Sequence, residues 1–321
     1  MAVTQQLPRQ PTAITPSAEE IKNKRLNEAN LQIAVQALAK DGIVVVEDAI
    51  PVEDLDHLNA KMIQDSHLLQ SRGEDSPFNY NKGNLQQDAP PWAEYFHPSI
   101  FCNPIATQIT SAILGPRPKW TFSSGNAAMP PLPGTENERQ PVHNDVEFPH
   151  PPKCFALVTN VPLIGMNPAN GSTESWLGTH NRTVAKEGGQ KGQRATGHIP
   201  QEQLDEQVAL AGPPCQPTLR KGSFAIRDFT IWHAGMPNTT QDVRIMLAQI
   251  HFASWFPNPT RLELADDIRP VLEELEAKGE LGLEVPVNWV PREQVQATYL
   301  DRALGKKYKT NKTEELELES S

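Results

Sequence analysis

The chain has 321 residues, 38% hydrophobic and 21% charged, with a formal net charge of −10. That length can bury a full core as one large domain or two small ones. The acidic balance argues against a polyanionic partner such as nucleic acid, and no apolar run reaches the roughly eighteen residues that a membrane-crossing helix needs.

From the N-terminus, residues 1–16 are rich in Pro, Thr and Gln and are expected to form a disordered tail. Ser17-Ala-Glu-Glu20 has the form of a capping box, and Ile21, Leu26, Leu31, Ile33, Ala34 and Leu38 recur at roughly helical spacing until Asp41-Gly42. Gly42-Ile-Val-Val-Val-Glu-Asp48 reads as a short buried strand, and Pro51 opens a second helix to about Gln70. Residues 71–100 are polar and turn-rich, with Trp92, Tyr95 and Phe96 as anchors. A helix near 103–114 stops at Gly115-Pro116. From 119 the texture changes to short apolar runs punctuated by Pro, Gly and Asn, at 119–126, 155–162, 172–177, 222–228 and 244–254, which predicts a barrel or sandwich of short strands. A polar insertion at 185–216 is expected to be a loop beside the site. A helical stretch follows through Pro270–Lys278, and the charged terminus reads as a solvated tail. Cys102, Cys154 and Cys215 form no disulfide framework. Without an apolar leader segment, a reducing, cytoplasmic setting is expected; Arg25-Leu26…Gln32-Ile33 is only a degenerate match to an N-terminal peroxisomal signal.

Of the nine histidines, His143 is the informative one, in Gln140-Pro-Val-His-Asn-Asp145. In a strand, positions i and i+2 share a face, so the His143 imidazole and the Asp145 carboxylate can converge on one ion. Two nitrogens and a carboxylate on one face of an octahedral iron leave three positions open, the arrangement used for oxygen activation. His-x-Asp alone is also what a strand-end histidine with an Asp turn-former looks like, and His150 is a rival ligand. His233 closes the segment Lys221-Gly-Ser-Phe-Ala-Ile-Arg-Asp228…Thr230-Ile-Trp-His233 and is followed by small residues. Eleven residues later, Arg244 opens the apolar run Ile-Met-Leu-Ala-Gln-Ile. A cation in a buried strand needs a carboxylate partner. That partner is either a protein Asp or Glu or the distal carboxylate of a metal-chelating 2-oxo acid.

Together these segments, with Asn170-Gly-Ser-Thr-Glu-Ser-Trp-Leu-Gly-Thr-His180, resemble the phytanoyl-CoA dioxygenase family of iron(II)/2-oxoglutarate oxygenases, from about Gly42 to Phe252. Leu177 and Thr179 stand where the family pattern has Pro and Ser. The resemblance implies a mainly β fold with flanking helices around a double-stranded β-helix (jelly roll, cupin-like) core. It implies Fe(II), 2-oxoglutarate and O2 as cofactor and cosubstrates, with His143, Asp145 and His233 as metal ligands. Arg244 would pair with the distal carboxylate of 2-oxoglutarate, and Gln140 and Thr173 match cosubstrate-contacting positions. Their plain alternatives are a loop amide satisfying backbone and an ordinary strand threonine. One oxygenase domain is expected over 17–310, with a helical part at 17–118, the jelly-roll core at 119–254 and an extension at 255–310, then a polar tail at 311–321.

The motifs leave the substrate open. Met129, Leu132, Glu147 and Phe148 would suit an apolar small molecule, and the absence of a dense basic cluster tilts the expectation away from acyl-CoA. By analogy with the family's secondary-metabolite-tailoring members, hydroxylation, desaturation or rearrangement at an unactivated C–H is expected. The alternatives are an acyl-CoA or lipid 2-hydroxylase and a non-catalytic jelly-roll partner subunit. Trp255, Phe256 and Trp289 are expected in a homodimer contact, a lid or a plain outer layer.

Overall fold

The computed structural model describes residues 8–146, 150–182 and 197–302. The tail expected over 1–16 does not hold at Thr12–Ile14, which forms β1, paired in parallel with β2 (Ile43–Val46), with Ile14 buried. The single helix predicted from Ser17 is two. Ser17 caps α1 (Ala18–Lys22) with a reciprocal capping box to Glu20, and the chain breaks at Lys24, whose φ is 52°. Asn27 then caps α2 (Glu28–Asp41) through Oδ1, which accepts from Asn30 N at 2.9 Å. Glu20 also accepts from Asn27 N, and the backbone and amide donors around it outweigh its burial to hold its carboxyl at about 2. Gly42 ends α2 at φ 74°, where a Cβ would lie 2.6 Å from His180 Nδ1.

Pro51 is the N-cap of α3 (Val52–Gln70), whose Leu55, Leu58, Met62 and Leu69 form a fully buried stripe. Each such side chain contributes about 1.5–3 kcal/mol by leaving water. The segment predicted as turn-rich holds a hairpin, β3 (Phe78–Asn79) and β4 (Asn81–Gln87). There follow α4 (Pro98–Phe101), α5 (Pro104–Leu114), β5 (Lys119–Ala128), β6 (Ala156–Pro162) and β7 (Glu174–Trp176). The 185–216 insertion is not a plain loop, since it contains α6 (Gln201–Ala211); its residues 185–196 lie outside the described residues. The core closes with β8 (Phe224–Asp228), β9 (Trp232–Ala234) and β10 (Arg244–Phe252). Beyond it, β11 (Leu262–Ala265), α7 (Arg269–Ala277), β12 (Val287–Val290) and α8 (Arg292–Arg302) add an outer layer in which β11 and β12 pair in parallel. Trp289 belongs to that layer, and the expected 311–321 tail lies outside the described residues.

The main sheet has the order β1-β2-β8-β6-β10-β5-β4-β3. A second layer is built on β7 and β9 and widened by isolated bridges at His143–His233 and Ser175–Cys215. This is the two-layer arrangement of a jelly roll with helices outside it. Register then sorts the side chains. Ile245 and Leu247 on β10, with Ala127 on β5 and Leu85 on β4, face the principal core against α2, α3 and α5. The alternate face carries Arg244 beside Ala128 and Asn84, Met246 beside Asn126 and Gln86, and Ile250 beside Val158 and Phe122; Arg227 stands opposite Val158. Two arginines and several amides thus point to the inner side of a sheet whose other side is apolar. Among the described residues no helix is long and apolar enough to cross a membrane.

Candidate metal centre

His143 lies just outside any named strand, and β9 reaches it. His143 N donates to His233 O at 3.0 Å and His233 N to His143 O at 2.8 Å, so one antiparallel bridge sets the two rings side by side with centroids 4.5 Å apart. Asp145 follows at i+2, in a bend rather than the expected strand, and its Oδ1 stands 3.6 Å from His233 Nε2. One donor atom from each of His143, Asp145 and His233 lies within 4.8 Å of the others. Ligands about 2.0–2.2 Å from a common ion at right angles are about 3 Å apart, so a small closure brings the three onto one ion.

The rings are oriented from behind. His143 Nδ1 meets Pro141 O at 2.8 Å and His233 Nδ1 meets Ile231 O at 3.0 Å. A carbonyl only accepts, so both Nδ1 atoms carry the proton and Nε2 carries the lone pair a metal needs. Burial first, and the Arg227 charge second, push His233 down to about 3 against the pull of Asp145, which keeps the imidazole neutral at pH 7. Burial by itself would raise Asp145. The Arg227 guanidinium, by its charge and its hydrogen bond, overrides it and holds the carboxyl well below the usual range. A neutral His233 imidazole, an ionised Asp145 carboxylate and a His143 ring whose Nδ1 is tied to a carbonyl are a donor set that fits divalent iron.

Arg244 is 1% exposed. Its Nε donates to Asn170 O at 3.3 Å and its Nη2 to Gly171 O at 2.6 Å, while Nη1 has no partner among the described residues. Burial lowers it only to about 10, so it remains a cation. No carboxylate pairs with it among the described residues, so the protein-partner alternative is not realised there. A buried guanidinium with an unmet donor fits the carboxylate of a dicarboxylic cosubstrate.

Other expected residues fare differently. Gln140 is buried with both ends of its amide engaged: Oε1 accepts from Gly235 N at 2.7 Å and Nε2 donates to Asn79 O at 3.2 Å. Both partners are backbone groups, the pattern its plain alternative expects. Thr173 is half-buried and, among the described residues, its hydroxyl makes no hydrogen bond. Met129 is a correction. Following Ala128, which shares the rung of Arg244, it alternates to the opposite side and is buried in the helix-facing core. Leu132 is 53% exposed on a turn. Glu147 and Phe148 lie outside the described residues. His150 is exposed and stands apart from the triad, its ring against Phe155.

Two residues at the site went unread in the sequence. Arg227 donates from Nη2 to Asp145 Oδ2 at 2.7 Å and from Nε to Asn160 Oδ1 at 3.0 Å. The signal was there, a cation inside an apolar strand, the same that singled out Arg244. Tyr80, at φ 70°, tilts its ring over His143 with centroids 4.8 Å apart; no local pattern in a polar hairpin announces that.

A family model described as phytanoyl-CoA dioxygenase (PhyH) matches residues 38–246, more than half of the chain. Among solved structures, the epimerase SnoN in complex with Fe3+, alpha ketoglutarate and nogalamycin RO is 14% identical with a TM-score of 0.51, covering 71% of this chain and 85% of that one. A second structure, of the non-heme alpha ketoglutarate dependent epimerase SnoN from nogalamycin biosynthesis, is 13% identical with a TM-score of 0.49, covering 71% and 84%. At such identities the likeness is one of fold, and the jelly roll is the fold it shares. The family match rests on the segment that contributes every residue of the triad, and so the chain belongs to the phytanoyl-CoA dioxygenase (PhyH) family, as an enzyme of the non-haem iron(II)- and 2-oxoglutarate-dependent dioxygenase type.

Proposed function

We propose that this enzyme oxidises an unactivated C–H of a small, largely apolar molecule of secondary-metabolite type, by hydroxylation or by the desaturation and rearrangement that start from the same hydrogen removal. The observation that carries the reading is the pairing of a converged His-Asp-His set with a buried arginine whose Nη1 has no protein partner. His143, Asp145 and His233 hold the iron, and Arg244 receives the far carboxylate of 2-oxoglutarate. When bound, the metal with 2-oxoglutarate and dioxygen supplies the oxidising power, releasing succinate and carbon dioxide.

The chain's own residues do the rest. The Pro141 and Ile231 carbonyls fix the imidazole tautomers, and the carbonyls of Asn170 and Gly171 aim the Arg244 fork. Burial of Arg244 removes competing water from the carboxylate it is to bind. Thr173, beside this turn, is retained as a cosubstrate contact. The inner sheet face offers Met246 and Phe122 to an apolar body and the Asn126 amide to a polar substituent on it. SnoN, an epimerase solved with Fe3+, alpha ketoglutarate and nogalamycin RO, supports a tailoring role by analogy alone.

The test is succinate release from 2-oxoglutarate over a panel of terpenoid, polyketide and alkaloid scaffolds, with acyl-CoA thioesters as a separate arm. Stimulation by one scaffold class that depends on ferrous ion is the expected result. Stimulation confined to acyl-CoA would move the enzyme to lipid hydroxylation. No iron-dependent succinate in any arm would count against catalysis altogether.

A further inference from the structure

Arg227 is a charged side chain in the interior for which the ligand assignment provides no task. It lies in β8, buried, directly after Phe224-Ala-Ile226. A guanidinium so placed is costly to desolvate; Nε and Nη2 are engaged, while Nη1 has no partner among the described residues. One end of it is anchored. Nε donates to Asn160 Oδ1 at 3.0 Å, and Asn160 Nδ2 donates in turn to Leu247 O at 3.4 Å. The other end grips a carboxylate oxygen, Asp145 Oδ2, at 2.7 Å. The backbone of β10 thereby sets, through Asn160 and then Arg227, the rotation of the Asp145 carboxylate. The oxygen turned toward His233 Nε2 is Oδ1, at 3.6 Å.

A carboxylate can bind a metal through one oxygen or through both. Beside two imidazoles, one-oxygen binding leaves three octahedral positions open, and two-oxygen binding leaves two. A chelating oxo acid takes two, so dioxygen has a place only in the first case. Resting on the iron and 2-oxoglutarate reading above, we infer that Arg227 is a positioning residue that occupies Asp145 Oδ2, makes Asp145 a one-oxygen ligand and keeps open the position dioxygen requires.

The inference is tested on anaerobic full-length protein loaded with ferrous ion and 2-oxoglutarate. Nitric oxide, a stable stand-in for dioxygen, is titrated in and its adduct is followed by electron paramagnetic resonance. In Arg227→Met, the visible band of the ferrous 2-oxoglutarate protein is expected to form with affinity within about threefold of native, while nitric oxide affinity falls at least about tenfold, the size of one charged hydrogen bond. Arg227→Lys, which keeps one charged donor, is expected to stay within about threefold of native. Native-like nitric oxide affinity in Arg227→Met overturns the inference. So does a parallel loss of iron, 2-oxoglutarate and nitric oxide binding in both variants, which marks a residue needed only for folding. If Arg227→Met does not fold, Asn160→Ala frees the Nε end and keeps the charge. It is expected to weaken nitric oxide binding about threefold or more at unchanged iron stoichiometry, and no change there overturns the inference. Failure of the underlying function is distinct, because native protein would then give no band with ferrous ion and 2-oxoglutarate.

Discussion

Replacing Arg244 by methionine removes the charge proposed to hold 2-oxoglutarate while keeping most of the side-chain volume. The guanidinium is 1% exposed and is aimed by two backbone carbonyls, at 3.3 Å and 2.6 Å, which leave Nη1 to a ligand. Removing one partner of a buried charged pair costs about 3–5 kcal/mol, more than the roughly 1.5–3 kcal/mol of a charge-assisted hydrogen bond alone, because the carboxylate is then left dry and unpaired. At about 1.4 kcal/mol per tenfold, the dissociation constant for 2-oxoglutarate is expected to rise by roughly two to three and a half orders of magnitude. The triad does not contact Arg244, so iron affinity should stay within about threefold. Arg244→Lys keeps a point charge without the fork and should fall between the two. The assay is equilibrium titration of iron-loaded protein under anaerobic conditions, by the visible band or by calorimetry, with thermal unfolding run in parallel because the Asn170 and Gly171 carbonyls lose their donor. An affinity within about threefold of native in Arg244→Met, or an equal loss of iron and 2-oxoglutarate binding, would refute the reasoning.

His251 is buried against Thr110 Oγ1 at 3.1 Å, and burial lowers it from 6.5 to about 4. Between those values the unfolded chain takes up a proton that the folded chain refuses, so stability falls as pH drops through the window, by up to about 3 kcal/mol. His251→Phe should flatten that part of the acid limb; urea midpoints from neutral pH down to about 4.5 measure it, and an unchanged slope contradicts it. Gly171 has φ 78°, and a Cβ there would lie 2.5 Å from Met236 O. Gly171→Ala should therefore cost about 2–4 kcal/mol in denaturant unfolding and weaken 2-oxoglutarate binding by shifting the acceptor of Arg244; a loss under about 0.5 kcal/mol would contradict the strain argument. His233→Ala removes a ligand and an imidazole that burial keeps neutral. It should abolish stoichiometric ferrous binding in metal analysis after gel filtration, and retained iron would remove His233 from the site.

How much of this was legible in the sequence depended on whether the signal was local. The strand period of two predicts His143 and Asp145 on one side; they do converge, although His143 sits in an isolated bridge and Asp145 in a bend rather than in a strand. His233 came from its position after a strand, and Arg244 from being a cation in an apolar run. Arg227 satisfies the same rule as Arg244, but only the fold shows that its side chain turns inward to Asp145. The hairpin strand Asn81–Gln87 was invisible because Leu85 is its only large apolar residue and its inward side is made of amides. The β1 strand was hidden for a related reason, since three residues with one buried isoleucine leave no period to read. Gln140 had the right spacing for a ligand contact. Only the backbone it meets, Gly235 and Asn79, each far away in sequence, reveals that its amide is already engaged. Met129 failed by one residue of register, and that is enough to move a side chain from one side of a sheet to the other.

The most direct measurement is a crystal structure of the native protein grown or soaked without oxygen in ferrous ion and 2-oxoglutarate, with anomalous scattering collected across the iron edge. One iron per chain is expected, bound by Nε2 of His143, Oδ1 of Asp145 and Nε2 of His233, with the far carboxylate of the oxo acid on Nη1 of Arg244. An iron peak elsewhere, a triad without metal at saturating iron, or an oxo acid turned away from Arg244 would contradict it.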